Sequence, residues 1–227
     1  SMFCSFETKN SYCMLMEYAE GGDCSSLLKS VGILSIEMSR VYIAETIVAV
    51  EYIHNYGIIH RDIKPDNLLI TSLGHIKLTD FGLSKIGLMN MATVKSKEYF
   101  ESFQDTKIQG TPDYIAPEVI INKPYGRAVD YWSIGIVMYE FLVGCTPFYG
   151  NNVEELFEAI VSMPLEWPEG EAAVSKDSKD IISKLLDKDP INRICSEGVD
   201  AVKSHPFFNE IKWNDLLQTK AQFIPTF

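Results

Sequence analysis

The sequence predicts a mixed fold of the α+β class, with short β segments towards its start and helices towards its end. Residues 1–18 and 58–85 contain short apolar runs separated by polar or glycine-containing turns, a pattern typical of strands. From residue 118 onward, apolar side chains recur at helical spacing and prolines separate the segments. The apolar fraction of 46% and the charged fraction of 22% exclude collagen-like and low-complexity chains.

The first part of the chain predicts two strands followed by two helices. Strands are expected over 2–6 and 12–18, with a polar turn between them. After a pair of glycines, Asp23 is expected to cap a short helix over 24–30. Helically spaced apolar residues predict a longer helix over 36–56 with a broad buried face.

In the middle of the chain, the spacing of apolar residues is first typical of short strands and later typical of helices. Short strands are expected over 58–59, 68–70 and 75–78, with a hairpin turn over 72–74. Residues 86–109 are polar and lack a clear period, and loops of this length in compact domains are usually functional. Helices are predicted over 128–143, 153–161 and 178–186.

The net charge and the cysteine content indicate which kinds of binding partner and which cellular compartment to expect for this protein. The net charge of −11 argues against nucleic acid and favours basic peptides, although the charge could simply keep the protein soluble. No apolar run approaches the ~20 residues of a membrane span, so no membrane partner is expected. The five cysteines form no C-x-x-C pair, which favours free thiols and a cytoplasmic location.

Three motifs stand in a fixed order along the chain. HRDIKPDN occupies 60–67, DFG occupies 80–82 and APE occupies 116–118. Each motif alone is weak, but their order and spacing together resemble the catalytic motifs of protein kinases. The resemblance implies the two-lobe kinase fold, with a complete, mainly helical large lobe and a partly present, β-rich small lobe.

The resemblance assigns roles to the motif residues, with ATP and Mg²⁺ as cofactors. Asp62 would accept or orient the proton of the substrate hydroxyl, and Lys64 would neutralise the γ-phosphate during transfer. Asn67 and Asp80 would offer oxygen ligands to Mg²⁺, a hard cation that prefers them. The alternative is that Asp62 and Asp80 merely cap turns.

Further positions resemble the adenine and ribose contacts of the same fold. The segment from Glu17 to Ala19 matches the hinge whose backbone would bond the adenine, and Leu69 would lie under the ring. Asp23 would bind the ribose or an arginine of the substrate, and Asp66 could also meet such an arginine. The alternative for Asp23 is a capping role alone.

Other features resemble protein serine/threonine kinases rather than tyrosine kinases. These are Lys64 and the GTP tripeptide over 110–112 that precedes APE. The implied function is ATP-dependent transfer of the γ-phosphate to Ser or Thr of protein substrates in basic sequence context. In the same fold, Glu118 would pair with Arg193, and Asp130 would hold the catalytic loop through backbone N–H groups.

Several stretches are similar to one branch of the group related to cyclic-nucleotide-dependent kinases. That branch is the microtubule-associated serine/threonine kinase family, which implies intracellular signalling and cytoskeletal partners. The similar stretches include CSFET at 4–8, EGGDC at 20–24, LLITS at 68–72 and FLVGC at 141–145.

The resemblance also divides the chain. Residues 1–19 correspond to two small-lobe strands and the hinge, 20–208 to the large lobe with an activation segment over 80–118, and 209–227 to the start of a tail. No G-x-G-x-x-G occurs, and no strand lysine precedes the hinge, so we expect an N-terminally truncated catalytic domain that binds Mg-ATP weakly alone. The alternative is a naturally short, non-catalytic binding or scaffold protein.

Overall fold

The structure, a computed structural model, describes residues 2–86, 110–169, 174–218 and 221, and confirms the α+β class. The predicted loop over 86–109 lies almost entirely outside the described residues. The strands are β1 (Met2–Glu7), β2 (Tyr12–Met16), β3 (Ile58–Ile59), β4 (Leu68–Ile70), β5 (Ile76–Leu78) and β6 (Lys85–Ile86). The helices are α1 (Cys24–Val31), α2 (Ile36–Asn55), α3 (Pro117–Ile120), α4 (Ala128–Val143), α5 (Val153–Ser162), α6 (Lys176–Leu185) and α7 (Val199–Lys203).

The first two strands form an antiparallel hairpin. Glu7 lies opposite Tyr12 and Met2 opposite Met16, and nearly all of the hairpin is exposed. The second strand ends two residues earlier than the sequence predicts, at Met16. Residues 17–19 therefore form an irregular link between β2 and the large helical part, at the position of the predicted hinge.

The core lies between the two longest helices and α6. α2 begins after Ser35, whose hydroxyl accepts a hydrogen bond from the Met38 N–H at 3.1 Å. α4 is apolar on almost every side and is buried along most of its length, as expected for a helix that is surrounded by protein. Trp132, Ile134 and Phe141 of α4 are completely buried, and α2 and α6 pack against this helix.

A second hairpin, β4 with β5, is attached to the link and carries predicted site residues. Ile70 lies opposite Ile76, and its backbone exchanges hydrogen bonds with Gly21 and Gly22 at 2.9 and 2.8 Å. At the open end of the hairpin, the Thr79 N–H donates to the Asn67 carbonyl at 3.0 Å. The hairpin register therefore brings the residues before β4 and after β5 to one place.

Two features depart from the sequence predictions or extend them. β6 pairs with β3, Ile58 opposite Ile86, and was not predicted because a two-residue strand has no recognisable period. The helix predicted over 178–186 begins at Lys176 instead, because the Ser175 hydroxyl caps it by accepting a hydrogen bond from the Ser178 N–H at 3.2 Å. In the described part of the chain, no helix has the length and apolar character needed to cross a bilayer.

Candidate active site

The loop that contains HRDIKPDN is held by one buried aspartate of α4. The Asp130 carboxylate accepts hydrogen bonds from the backbone N–H groups of His60 and Arg61, both at 2.9 Å. Its Oδ2 also lies 2.7 Å from Nε2 of His54. Burial alone would raise the pKa of Asp130, but these partners hold it below the ordinary aspartate value. The loop is thus tied to the core through a charged carboxylate.

Arg61 has an unusual backbone conformation that its surroundings enforce. Its φ of +70° lies in the left-handed region, which is costly for a residue with a side chain. The guanidinium donates from Nε to the Leu83 carbonyl at 2.6 Å and from Nη1 to the Tyr125 hydroxyl at 3.0 Å. Hydrogen bonds from the backbone N–H and from the guanidinium of Arg61 therefore fix its conformation, which orients the following residue, Asp62.

The Asp62 carboxylate lies at the centre of a compact polar cluster. Its Oδ1 accepts from the Thr111 backbone N–H and hydroxyl, both at 3.1 Å, and its Oδ2 lies 3.0 Å from Lys64 Nζ. Lys64 Nζ also donates to the Thr111 hydroxyl at 2.6 Å. Asn67 Nδ2 donates to the Asp62 carbonyl at 2.7 Å and to its Oδ2 at 3.1 Å.

These contacts determine the charge of Asp62. Burial would raise its pKa, but the hydrogen bonds and charge of Lys64 and the bonds from Thr111 outweigh burial, so the pKa lies below the usual aspartate value. Asp62 is therefore a carboxylate at neutral pH. A carboxylate with a lowered pKa is a weak base, so this geometry suits orientation of a hydroxyl group better than early removal of its proton.

Asn67 and Asp80, the predicted Mg²⁺ ligands, lie at the open end of the β4–β5 hairpin. Asp80 is exposed, has a φ of +62°, and accepts from the Gly82 N–H at 3.1 Å. Both bonds that Asn67 makes to Asp62 use its amide nitrogen, which leaves the carbonyl oxygen for another partner. An amide oxygen and an exposed carboxylate are suitable ligands for a hard cation that also keeps waters and phosphate oxygens.

The predicted nucleotide contacts lie along the link and the hairpin. The Glu17 side chain is paired with Lys77 of β5, which lowers the pKa of that carboxyl, and the Ala19 carbonyl accepts from the Gly22 N–H at 3.4 Å. Leu69 is half-buried in β4 and bridged to Asp23. The link, Asp23 and Leu69 are thus neighbours, as the sequence predicts, although their nucleotide contacts remain predictions.

The Asp23 side chain caps the N-terminus of α1. Its Oδ1 accepts from the Ser26 N–H at 2.7 Å and its Oδ2 accepts from the Ser26 hydroxyl at 2.9 Å, so it caps α1. The structure therefore shows the capping role, and the contact of Asp23 with a ribose or a substrate arginine stays a prediction. The rings of His60 and Phe81 make an edge-on contact with centroids 5.0 Å apart, and Phe81 is 46% exposed, so this contact lies at the surface.

The sequence profile of the family described as "Protein kinase domain" matches residues 1–208. The chain belongs to the protein kinase family. It is 41% identical to the probable serine/threonine protein kinase IRE of Arabidopsis thaliana over 99% of the chain and 21% of that protein. It is 40% identical to the RAC-beta serine/threonine-protein kinase of Rattus norvegicus over 95% of the chain and 42% of that protein. The chain spans about a fifth of the length of the plant relatives.

Within this kinase domain, sequence reasoning missed two side chains that support the site. His54 contacts the Asp130 carboxylate, and Glu45 of α2 contacts the turn of the β4–β5 hairpin. Both lie in the apolar-periodic stretch of a helix, where the sequence predicts only a buried face. A polar residue at a buried position of the helical period was the one available indication.

The kinase domain also contains the predicted buried ion pair. The two terminal nitrogens of the Arg193 guanidinium, Nη1 and Nη2, donate to the two Glu118 oxygens at 2.9 and 3.0 Å. Arg193 is completely buried and lies over the Trp132 ring at 5.3 Å. Glu118 lies in the first turn of α3, shortly after Thr111 in the chain, so the pair fixes the end of the segment that contains Thr111.

Replacing Gly110 by alanine is expected to disrupt the Asp62 cluster. Gly110 has a φ of +115°, and an added Cβ would lie 2.9 Å from the Arg61 carbonyl oxygen. Thr111 would have to move, so we expect a loss of about 2 kcal/mol in the free energy of unfolding, measured in urea. Gly198→Ala is the matched control because its φ of +105° causes similar strain with no atom within 4 Å of the new Cβ. Equal losses would show that the close approach is unimportant.

Proposed function

We propose that this protein transfers the γ-phosphate of ATP to serine and threonine hydroxyl groups of protein substrates. The observation that carries the proposal is the Asp62 cluster, a buried carboxylate with one lysine, one threonine and one asparagine around it. Phosphoryl transfer needs positioning and charge neutralisation more than covalent chemistry by the protein. Membership of the protein kinase family and the names of the relatives support the same activity.

Each residue of the cluster has its own role in the proposed phosphoryl transfer. Asp62 orients the attacking hydroxyl and accepts its proton as the bond to phosphorus forms and the bond to the leaving ADP oxygen breaks. Lys64, held by Asp62 and Thr111, supplies positive charge next to the transferred group. Asn67 and Asp80 are the residues that would hold Mg²⁺. When bound, Mg²⁺ neutralises phosphate charge.

The bond between Lys64 and Thr111 supports serine/threonine specificity. Lys64 Nζ lies 2.6 Å from the Thr111 hydroxyl, so the lysine is fixed close to Asp62. A lysine at this position is typical of serine/threonine kinases rather than tyrosine kinases, and here Thr111 of the GTP tripeptide holds it beside Asp62. The relatives named above are serine/threonine kinases, and the proposal extends that specificity to this chain.

We also propose that the substrates have basic residues near the acceptor hydroxyl. Asp66 is exposed beside the cluster, and Glu140 accepts a hydrogen bond from Tyr114 at 2.6 Å. Burial raises the pKa of Glu140, and the charges of Asp66 and Asp113 raise it further. Asp66 and Asp113 are therefore close enough to act on Glu140, and they supply negative charge beside the Asp62 cluster. The motif similarities quoted above support signalling with cytoskeletal partners in the cytoplasm.

The activity is tested with the protein purified from its whole natural reading frame. Three basic peptides that differ only in Ser, Thr or Tyr at the acceptor position are incubated with radiolabelled Mg-ATP. We expect label on the Ser and Thr peptides, none on the Tyr peptide, and complete loss when EDTA removes the metal. Label on the Tyr peptide alone, or none on any peptide at millimolar ATP, would contradict the proposal.

Replacing Asp66 by asparagine is expected to weaken the binding of basic substrates selectively. We expect the KM for a peptide with two arginines to rise about threefold to tenfold with little change in kcat, because one attractive charge is lost in the ground and transition states alike. The matched control is Asp200→Asn on α7, an exposed aspartate outside the site. A KM that changes equally for an uncharged peptide would rule out a role in charge recognition.

A further inference from the structure

Glu45 of α2 is a buried carboxylate that the proposed phosphoryl transfer does not use. It is 2% exposed, although it lies in a helix whose neighbouring buried residues are mostly apolar. Its Oε1 lies 2.7 Å from Nδ1 of His75, and its Oε2 accepts from the Ile76 N–H at 2.6 Å. Both contacts reach across from the helix to the closed end of the β4–β5 hairpin.

Among the residues that the structure describes, His75 is the group beside Glu45 that can carry a positive charge. The ionisable side chains that interact with it are Cys24 of α1, Tyr42 one turn earlier on α2, and His75. Burial raises the pKa of Cys24 and of Tyr42, so both are neutral at physiological pH. Burial likewise raises the pKa of Glu45, while the bonds from Ile76 and His75 oppose this change. A charged Glu45 therefore depends on the Ile76 N–H and on His75, and of these two groups only His75 can carry a positive charge.

The hairpin connects this pair to the predicted nucleotide site. Its closed end contacts Glu45, its middle contains Leu69, and Asn67 and Asp80 flank its open end. The Thr71 carbonyl and hydroxyl receive hydrogen bonds from Gly74 and His75, so the turn moves as a unit with His75. The helix under it is fixed by its packing on α4. A change at the turn therefore shifts the hairpin relative to the core.

We propose that Glu45 and His75 form a protonation-dependent contact that positions the β4–β5 hairpin and thereby sets the affinity for Mg-ATP. The proposal rests on the proposed function, since it concerns the same nucleotide site. Glu45 acts through His75 and the hairpin, so it is a positioning residue rather than a catalytic one.

The direction of the pH effect follows from the burial of Glu45. With His75 protonated, the carboxylate has a cation at 2.7 Å and its charge is compensated. When His75 loses its proton, the buried carboxylate keeps only neutral donors, and an uncompensated buried charge is costly. The hairpin then opens more often to let water reach Glu45. We therefore expect the affinity for the nucleotide to fall as the pH rises from about 5 to about 8.

The test measures the Kd of Mg-ADP by calorimetry between about pH 5 and pH 8 on the whole protein. For the natural protein we expect the Kd to rise about fivefold to tenfold more over this range than for Glu45→Gln. The glutamine carbonyl can still accept from the Ile76 N–H, but it carries no charge, so the variant should fold and lose this pH dependence. The comparison between the two proteins cancels the titration of the nucleotide itself.

The matched control is Asp180→Asn, which removes the charge from a second His–carboxylate pair. Asp180 lies on α6, away from the hairpin, and its Oδ2 is 2.7 Å from Nε2 of His205. This variant should keep the pH dependence of the natural protein. If Glu45→Gln shows the same pH dependence as the natural protein, or if Asp180→Asn loses it, the proposal is wrong.

Hydrogen exchange separates this proposal from the proposed function. The Ile76 amide should exchange about tenfold faster at the high end of the pH range than at the low end, after correction for intrinsic exchange, and only when Glu45 is present. This readout needs no nucleotide. Absence of Mg-ADP binding at every pH would count against the proposed function, whereas unchanged Ile76 protection would overturn the role of the Glu45–His75 pair.

Discussion

Replacing Asp62 by asparagine is expected to lower the kcat of phosphoryl transfer by about 10²- to 10⁴-fold, the usual range for a general acid or base. The asparagine carbonyl can replace one oxygen and still accept from the Thr111 N–H, which now lies 3.1 Å from Oδ1. The negative charge that contacts Lys64 at 3.0 Å is lost, together with the acceptor for the substrate proton. The fold and the affinity for Mg-ADP should change little.

The measurement compares kcat, KM for ATP and thermal midpoint for Asp62→Asn and the exposed control Asp200→Asn. A change confined to kcat identifies a group that acts mainly in the transition state. A kcat within tenfold of the natural protein would exclude Asp62 from the proton-transfer step. A large loss of thermal stability would instead point to the structural alternative, in which Asp62 merely caps the turn that contains Thr111.

The lowered pKa of Asp62 also predicts the pH dependence. A carboxyl group whose pKa is lower in the folded state stabilises the fold above its ordinary pKa, and this contribution is lost as the pH falls through the lowered value. Activity at neutral pH should therefore not be limited by protonation of Asp62. An acidic limb in the kcat profile near neutral pH would have to come from another group.

Replacing Glu118 by glutamine is expected to cost about 3–5 kcal/mol of unfolding free energy, the largest stability effect that we predict. Arg193 is completely buried and faces both Glu118 oxygens at 2.9 and 3.0 Å, so the variant leaves a buried guanidinium without its countercharge. Arg193 also donates to the carbonyls of Ala128 and Asp187. Those contacts hold the cation in place and prevent it from escaping to solvent.

Urea denaturation measures this cost, with Lys184→Met as the control. Lys184 pairs with Asp180 at 2.7 Å, but both side chains are 49% exposed, and such pairs contribute at most about 1 kcal/mol. The double variant Glu118→Gln with Arg193→Met should recover part of the loss because it removes the uncompensated charge. A loss below about 1 kcal/mol for Glu118→Gln alone would show that the buried charge is satisfied without Glu118.

Much of the fold and the list of site candidates follow from local sequence patterns. The helix over 128–143 is predicted to the residue, because its apolar residues are continuous and its end is a glycine. Strand β2 ends at Met16 rather than at Tyr18, because its pairing with β1 stops where β1 begins, at Met2. Chain order likewise indicates Asp62, Asn67 and Asp80, but not the bonds among them.

The sequence alone therefore determined the protein kinase family and the main helices and indicated the candidate site residues, since these depend on residue type and short-range spacing. Only the tertiary structure showed that Lys64 is held by Thr111, that His54 supports Asp130, and that Glu45 reaches His75. These partners are 30 to 76 residues apart in the chain. Such contacts depend on where packing places each helix and hairpin, and a buried glutamate in a helix has the same local sequence pattern as an exposed one.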